Sequence, residues 1–252
     1  MSDPMLSVSG VGKRFGGLVA LQDVSFDVDA GRIVGLMGAN GAGKTTLFSL
    51  IAGNARPSSG DIRYDGRSIV GLSPHRICRL GVARTFQIVK PFMALTVLEN
   101  VRTAAMFGAA GHRRAADADR ASHVVLAETG LAAVADRPAG TLTLSSQKRL
   151  EVARAIATGA RLVLLDEVMA GLTATEVAQM LETLRRLHRT RGLTLIVIEH
   201  VMRAMMQLCG HIVVLHHGRL IAQGPPNRIG DDPQVLAVYF GANGSATTGA
   251  AR

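Results

Sequence analysis

Eight residues, Gly38-Ala39-Asn40-Gly41-Ala42-Gly43-Lys44-Thr45, constrain this chain more than any others. They follow the pattern G-x-x-x-x-G-K-[ST], with Thr46 next. The apolar run Ile33-Val34-Gly35-Leu36-Met37 precedes them and reads as a strand, and Thr46-Leu47-Phe48-Ser49-Leu50-Ile51-Ala52 follows as a helix-compatible run. A loop of this kind works only between a strand and a helix N-terminus. Its glycines let backbone N–H groups approach phosphate oxygens, and the helix dipole adds positive potential. Gly38, Asn40, Gly41, Gly43, Lys44, Thr45 and Thr46 are therefore candidate phosphate-binding residues. Lys44 would reach the outer phosphates of a nucleotide, and the Thr45 hydroxyl would ligate Mg²⁺. A glycine-rich turn could match the pattern by chance, but it would not bring the downstream motifs described next.

At 252 residues the chain is long enough for one or two domains, and 48% hydrophobic with 19% charged residues is a globular balance. No apolar run approaches the ~20 residues that cross a bilayer. The first residues, Met1 to Met5, carry no basic region before an apolar core, so a secretory signal is not expected and the chain is expected to stay in the cytosol. Cys78 and Cys209 lack metal-site spacing and read as two buried free thiols. His216-His217 follow a strand-like run and read as a strand end rather than metal ligands. The net charge of +9 favours anionic partners, but the basic residues are scattered. With two Tyr and no Trp, a stacking surface for single-stranded nucleic acid is poorly supported.

The pattern divides the chain into three stretches. Leu6–Val11 and Val24–Val28 alternate as strands with one wet face, and Asp61–Gly66 reads as a short strand and turn. From about Thr96 to Ile156 the pattern is helical, broken by a polar loop at Gly108–Arg114. Two continuous apolar strands then appear, Arg161–Glu167 and Leu193–Ile198, joined by an amphipathic helix over Val177–Leu187, which makes a β-α-β unit. A closing hairpin spans Ile212 to Ala222. Division of one domain over 1–240 into a core at about 1–90 and 158–240 and a helical part at about 91–157 is expected, with a disordered tail at 241–252.

Asp166 and Glu167 end a buried strand, where acidic groups are expensive unless they face a cation or solvent. With a phosphate loop upstream, Asp166 would hold Mg²⁺ and Glu167 would polarise an attacking water as a general base. Taken alone, the pair is also compatible with a strand that ends at the surface.

An aromatic near the N-terminus, the phosphate loop, a Gln after a strand, an Asp-Glu pair and a His after the next strand occur in that order. This order resembles the ATP-binding cassette ATPases over about Leu6 to Phe240. The resemblance implies an α/β fold: a RecA-like P-loop NTPase core with an N-terminal antiparallel β subdomain and an inserted α-helical subdomain. It assigns Phe15 to stacking on adenine, although a core Phe is the alternative. It assigns Gln87, in Arg84-Thr85-Phe86-Gln87, to Mg²⁺ or the attacking water and to the link with a membrane partner. His200 matches the switch His that contacts the γ-phosphate.

The signature loop departs from the family's L-S-G-G-Q. Counting back from the helix Gln147–Ala155 puts Leu142-Thr143-Leu144-Ser145-Ser146 at that loop; slipping by one residue would put the helix out of register. Thr143 keeps the hydroxyl for a γ-phosphate, and Ser145 stands where a glycine is expected. Thr173 stands where the wider family has Asp. The segments Arg84–Gln87, Leu95–Val101, Asp166–Leu172 and Ile198–His200 narrow the resemblance to branched-chain amino-acid importer ATPases of the LivG-like type.

That resemblance implies an ATP- and Mg²⁺-dependent ATPase peripheral to the cytoplasmic face of a membrane. Its partners would be a second cassette (a LivF-like subunit or a second copy), two transmembrane permease subunits and, indirectly, a substrate-binding protein. Each nucleotide would lie between one cassette's phosphate loop and the other's signature loop. An intact Lys44, Glu167 and His200 beside an altered signature would make the two sites of a heterodimer unequal. Two rival readings remain: a soluble cassette ATPase acting on nucleic acid or ribosomes, and a nucleotide-dependent scaffold with little hydrolysis.

Overall fold

The computed structural model describes residues 3–85, 91–112 and 114–240. A long hairpin of β1 (Leu6–Phe15) and β2 (Leu18–Val28) turns at Gly16-Gly17, and β3 (Ile33–Met37) leads into α1 (Lys44–Ile51). Then follow β4 (Ser59–Tyr64), β5 (Arg67–Ser68), α2 (Pro74–Leu80) and β6 (Val82–Arg84). Helices α3 (Val97–Phe107), α4 (Ala115–Glu128) and α5 (Leu144–Ala157) come next, and β7 (Leu162–Asp166), α6 (Ala174–Arg191) and β8 (Thr194–Ile198) form the β-α-β unit. The chain closes with α7 (Met202–Leu208), β9 (His211–His216), β10 (Arg219–Gly224), α8 (Pro226–Gly230) and α9 (Pro233–Phe240).

Two sheets result. One is antiparallel with strand order β2-β1-β4-β5, and the other runs β10-β9-β3-β8-β7-β6. In the second, only the β9–β10 pairing is antiparallel. Strands β3, β7 and β8 are buried at all five positions, which explains their unbroken apolar sequences. Alternate residues face different cores. Val163, Leu165, Leu195 and Val197 join a cluster with α3 to α7, whereas Leu162, Leu164, Ile196 and Ile198 join one that contains α1 and the antiparallel sheet. The fold is thus α/β, with α1 held between the two sheets.

The hairpin also steadies the phosphate loop. Gln22 N donates to Gly218 O at 2.7 Å, so β2 is docked on the β9–β10 turn. On its other side a Cβ at Gly43 would come within 2.8 Å of Ala20 O, and Gly43 has φ +102°. Glycine is required there both by space and by the left-handed backbone.

Several local readings need correction. Helix α5 starts at Leu144, not Gln147, because the Thr143 hydroxyl accepts from Ser146 N and caps the helix there. The first two strands are longer than their alternation suggests, since β1 carries register shifts between Val8 and Val11 and again near Lys13 that disturb its period. Cys209 is buried, but Cys78 is only partly covered, because α2 buries Ile77 alone.

Phe48 is completely buried between α1 and both sheets. Phe48→Ala should lower unfolding stability by about 3–5 kcal/mol, read from the midpoint shift in a denaturant titration.

Candidate functional site

Parallel strand order brings four chain segments to one end of the central sheet. β3 delivers the phosphate loop, β8 delivers Glu199-His200, β7 delivers Asp166-Glu167 and β6 delivers Arg84-Thr85. Adjacent strands end nearly in register, with Asp166 opposite Ile198.

A cavity of about 550 Å³ opens at this end. Its walls include Phe15, Asn40, Gly41, Gly43, Lys44, Thr45, Thr46, Glu167 and His200. Phe15 is half-exposed at the mouth, not a core residue, and the Lys13 ammonium lies 4.7 Å from its ring centre. Gly43 caps α1 without a side-chain acceptor, so the first-turn N–H groups of α1 have no cap from that side chain. Lys44 is buried and donates to Gly38 O at 2.7 Å and Ala39 O at 3.1 Å. Burial lowers its pKa, while the charges of Glu167 and Asp166 oppose that shift.

Asp166 lies behind the cavity wall and is almost fully buried. One carboxylate oxygen accepts from Arg84 Nη2 at 2.8 Å. Its other oxygen, Oδ1, is buried and has no hydrogen-bond partner among the described residues. An orphaned hard oxygen is costly unless a cation or its water shell takes it. Together with Thr45, exposed in the first turn of α1, that oxygen fits a Mg²⁺ site.

Glu167 adopts φ +52°, an uncommon backbone for a non-glycine residue. Its Oε1 lies 2.7 Å from His200 Nε2. Since an ionised carboxylate only accepts, the imidazole donates from Nε2. The arrangement can hold a phosphate chain at the loop and place a carboxylate and an imidazole against its far end.

Thr143 and Ser145 are not among the residues that line this cavity. They sit at the start of α5, where Thr143 caps the helix and Ser145 is buried. The Glu176 carboxylate accepts from the Thr173 N–H and hydroxyl at 2.9 Å each. Thr173 is thus the N-cap of α6 in a reciprocal capping box. Gly38 is buried at the base of the loop. Gln87 lies outside the described residues.

Three further residues belong here. Arg84 ties Asp166 to Ser49 Oγ of α1. Lys148 and Glu199 are both buried and flank the turn after β7. Lys148 Nζ donates to Glu167 O at 2.8 Å, and Met169 N donates to Glu199 Oε1 at 2.7 Å. A signal for Lys148 was available: it falls on the same helical stripe as the buried Ser145, Val152 and Ala155.

A family model for ABC transporters matches residues 21–170. The chain belongs to the ABC transporter family. Among similar proteins is the high-affinity branched-chain amino acid transport ATP-binding protein BraF of Pseudomonas aeruginosa. It is 39% identical, over 96% of this chain and 99% of BraF. LivG of Escherichia coli, with the same description, is 37% identical over 96% of this chain and 99% of LivG. Among solved structures, a nucleotide-free ATP-binding cassette from an ABC transporter has a TM-score of 0.84 and 25% identity, covering 93% of this chain and 98% of that one. The ADP conformation of the cassette MJ1267 also has a TM-score of 0.84 at 25% identity, covering 95% of this chain and all of that one. The cassette fold is therefore shared along almost the whole length.

Burial pushes the Glu199 carboxyl up to about 7 from an ordinary 4.5. Glu167 adds to the rise, while Lys148 and the N–H groups of Met169 and His200 oppose it. The folded state thus favours protonated Glu199, so its contribution to stability is complete below pH 4.5 and is lost as pH rises through about 7. In Glu199→Gln that slope should vanish. Relative to wild type, the variant should gain up to about 3 kcal/mol between pH 4.5 and 8, measured by urea unfolding across that range.

Proposed function

We propose that this cassette is the ATP-binding and ATP-hydrolysing subunit of an ABC importer for branched-chain amino acids or a related small polar solute. One observation carries the reading: a single cavity lined by Lys44, Glu167 and His200, in a chain similar along its whole length to BraF and LivG. No helix among the described residues is long and apolar enough to cross a membrane. That fits a peripheral subunit at the cytoplasmic face, bound to two transmembrane permeases and served by a substrate-binding protein.

In this reading ATP lies with adenine on Phe15 and its phosphates over Gly38 to Thr46. Lys44 leaves the carbonyls of Gly38 and Ala39 to meet the phosphates. Thr45, Asp166 and Gln87 hold Mg²⁺, which neutralises charge on the phosphate oxygens when bound. Glu167 takes a proton from water as its oxygen attacks the γ-phosphorus. The bond to the bridging oxygen breaks, giving ADP and phosphate, and His200 orients Glu167 and contacts the γ-phosphate. Because Thr143 and Ser145 stand outside the cavity, they serve the nucleotide of a second cassette, either a LivF-like subunit or another copy. The division into a core at about 1–90 and 158–240 and a helical part at 91–157 fits this use, with α3 to α5 carrying the partner-facing loop.

Lys44→Ala should weaken ATP binding at least ~10-fold, the loss of one charge-assisted phosphate contact, read with a fluorescent ATP analogue. Glu167→Gln should keep ATP binding and cut kcat by about 10²–10³-fold. Hydrolysis by Glu167→Gln at the wild-type rate would sink this reading. In a heterodimer, Glu167→Gln here should lower ATPase activity and leucine uptake more than the equivalent change in the partner. Equal losses would remove the inequality of the two sites. Retention on nucleic acid, without membrane proteins in the purified complex, would favour the soluble alternative.

A further inference from the structure

The turn that carries Glu167 is gripped by two buried ionisable side chains from elsewhere in the chain. On one side Lys148, from the second turn of α5, donates to the Glu167 carbonyl at 2.8 Å. On the other, Glu199, just past β8, accepts from Met169 N at 2.7 Å. Lys148 and Glu199 are 4% and 5% exposed, so neither is a solvated surface charge that happens to lie nearby.

The grip falls where the backbone needs it. Glu167 sits at φ +52°, which a non-glycine residue holds only when its surroundings fix it. Rotating that residue would swing the carboxylate away from His200, 2.7 Å from it. The outer face of α5 is fastened to the same segment. Leu144 Cδ2 lies 3.2 Å from where a Cβ of Gly171 would be, and Arg149 donates to Gln179 at 2.5 Å.

We propose that Lys148 and Glu199 are a positioning pair: together they fix the Glu167–Met169 backbone, aim the Glu167 carboxylate, and fasten it to the helix that begins at Thr143. Resting on the function proposed above, this means that movement of α5 at the partner interface reaches the chain's own hydrolytic carboxylate through one buried ammonium.

The test compares Lys148→Met, Glu199→Leu, Glu199→Gln and the double variant Lys148→Met/Glu199→Leu in the full-length chain assembled with its partner cassette and permeases, over a range of Mg-ATP concentrations. Each of the first two should lower kcat about 10- to 100-fold, the scale set by a misaimed catalytic group. KM for ATP and nucleotide affinity should stay within about 2-fold, since neither Lys148 nor Glu199 is among the described residues that line the nucleotide cavity. Glu199→Gln keeps an acceptor for Met169 N and should retain kcat within about 3-fold. The double variant removes both buried charges and should regain much of the melting temperature lost in the single variants, yet kcat should stay low. If kcat recovers together with melting temperature, or if KM rises while kcat holds, the pair is merely structural and the proposal is overturned. An assembled wild-type complex that hydrolyses no ATP overturns the proposed function and this inference with it; normal turnover in both wild type and Lys148→Met complexes overturns the inference alone.

Discussion

Parallel pairing of β3, β8, β7 and β6 is the constraint on which everything else depends. Strands buried on both faces must be apolar along their length, so charge and loop chemistry are pushed to their ends. Because the four strands run the same way, their carboxyl ends form one edge. There the phosphate loop, Asp166-Glu167, Glu199-His200 and Arg84 become neighbours, although as much as 162 residues separate Gly38 from His200 in sequence. This crevice beyond the strand ends is where open α/β sheets hold their ligands.

Packing charge behind that edge has a price, and the structure meets it with partners. Asp166 is offset by Arg84 at 2.8 Å, which leaves one carboxylate oxygen for a cation. Lys148 is offset by backbone carbonyl and carboxylate charge around the turn at Glu167. Outside, Thr173 caps α6 through Glu176, and α5 reaches α6 through Arg149, which donates to Gln179.

Much of this was legible beforehand, for a physical reason that differs from element to element. The loop Gly38–Thr45 is readable because its glycines and lysine are needed locally, whatever surrounds them. β7 and β8 are readable because burial on both faces leaves no other composition. By contrast α2 and α7 are seven residues each, too short for a periodic pattern to stand out. The start of α5 is not legible in sequence, because Leu144 to Ser146 fall where a loop motif is expected, while the cap that decides the matter is a single hydroxyl on Thr143. Phe15 could not be told from a core residue until the hairpin placed it at the cavity mouth.

By itself, then, the sequence determined the local chemistry: a phosphate-binding turn, a strand ending in two carboxylates, a histidine one strand later, and a helical stretch between the halves of an α/β core. Those features follow from backbone sterics and solvation over a few residues. Only the tertiary structure decided that Glu167 meets His200, that one Asp166 oxygen has no hydrogen-bond partner among the described residues, and that Thr143 and Ser145 lie outside the cavity lined by Lys44. It also decided that Lys148 and Glu199 are interior. Such facts depend on which strand lies beside which, and strand order is set by the packing of whole layers rather than by any stretch of residues.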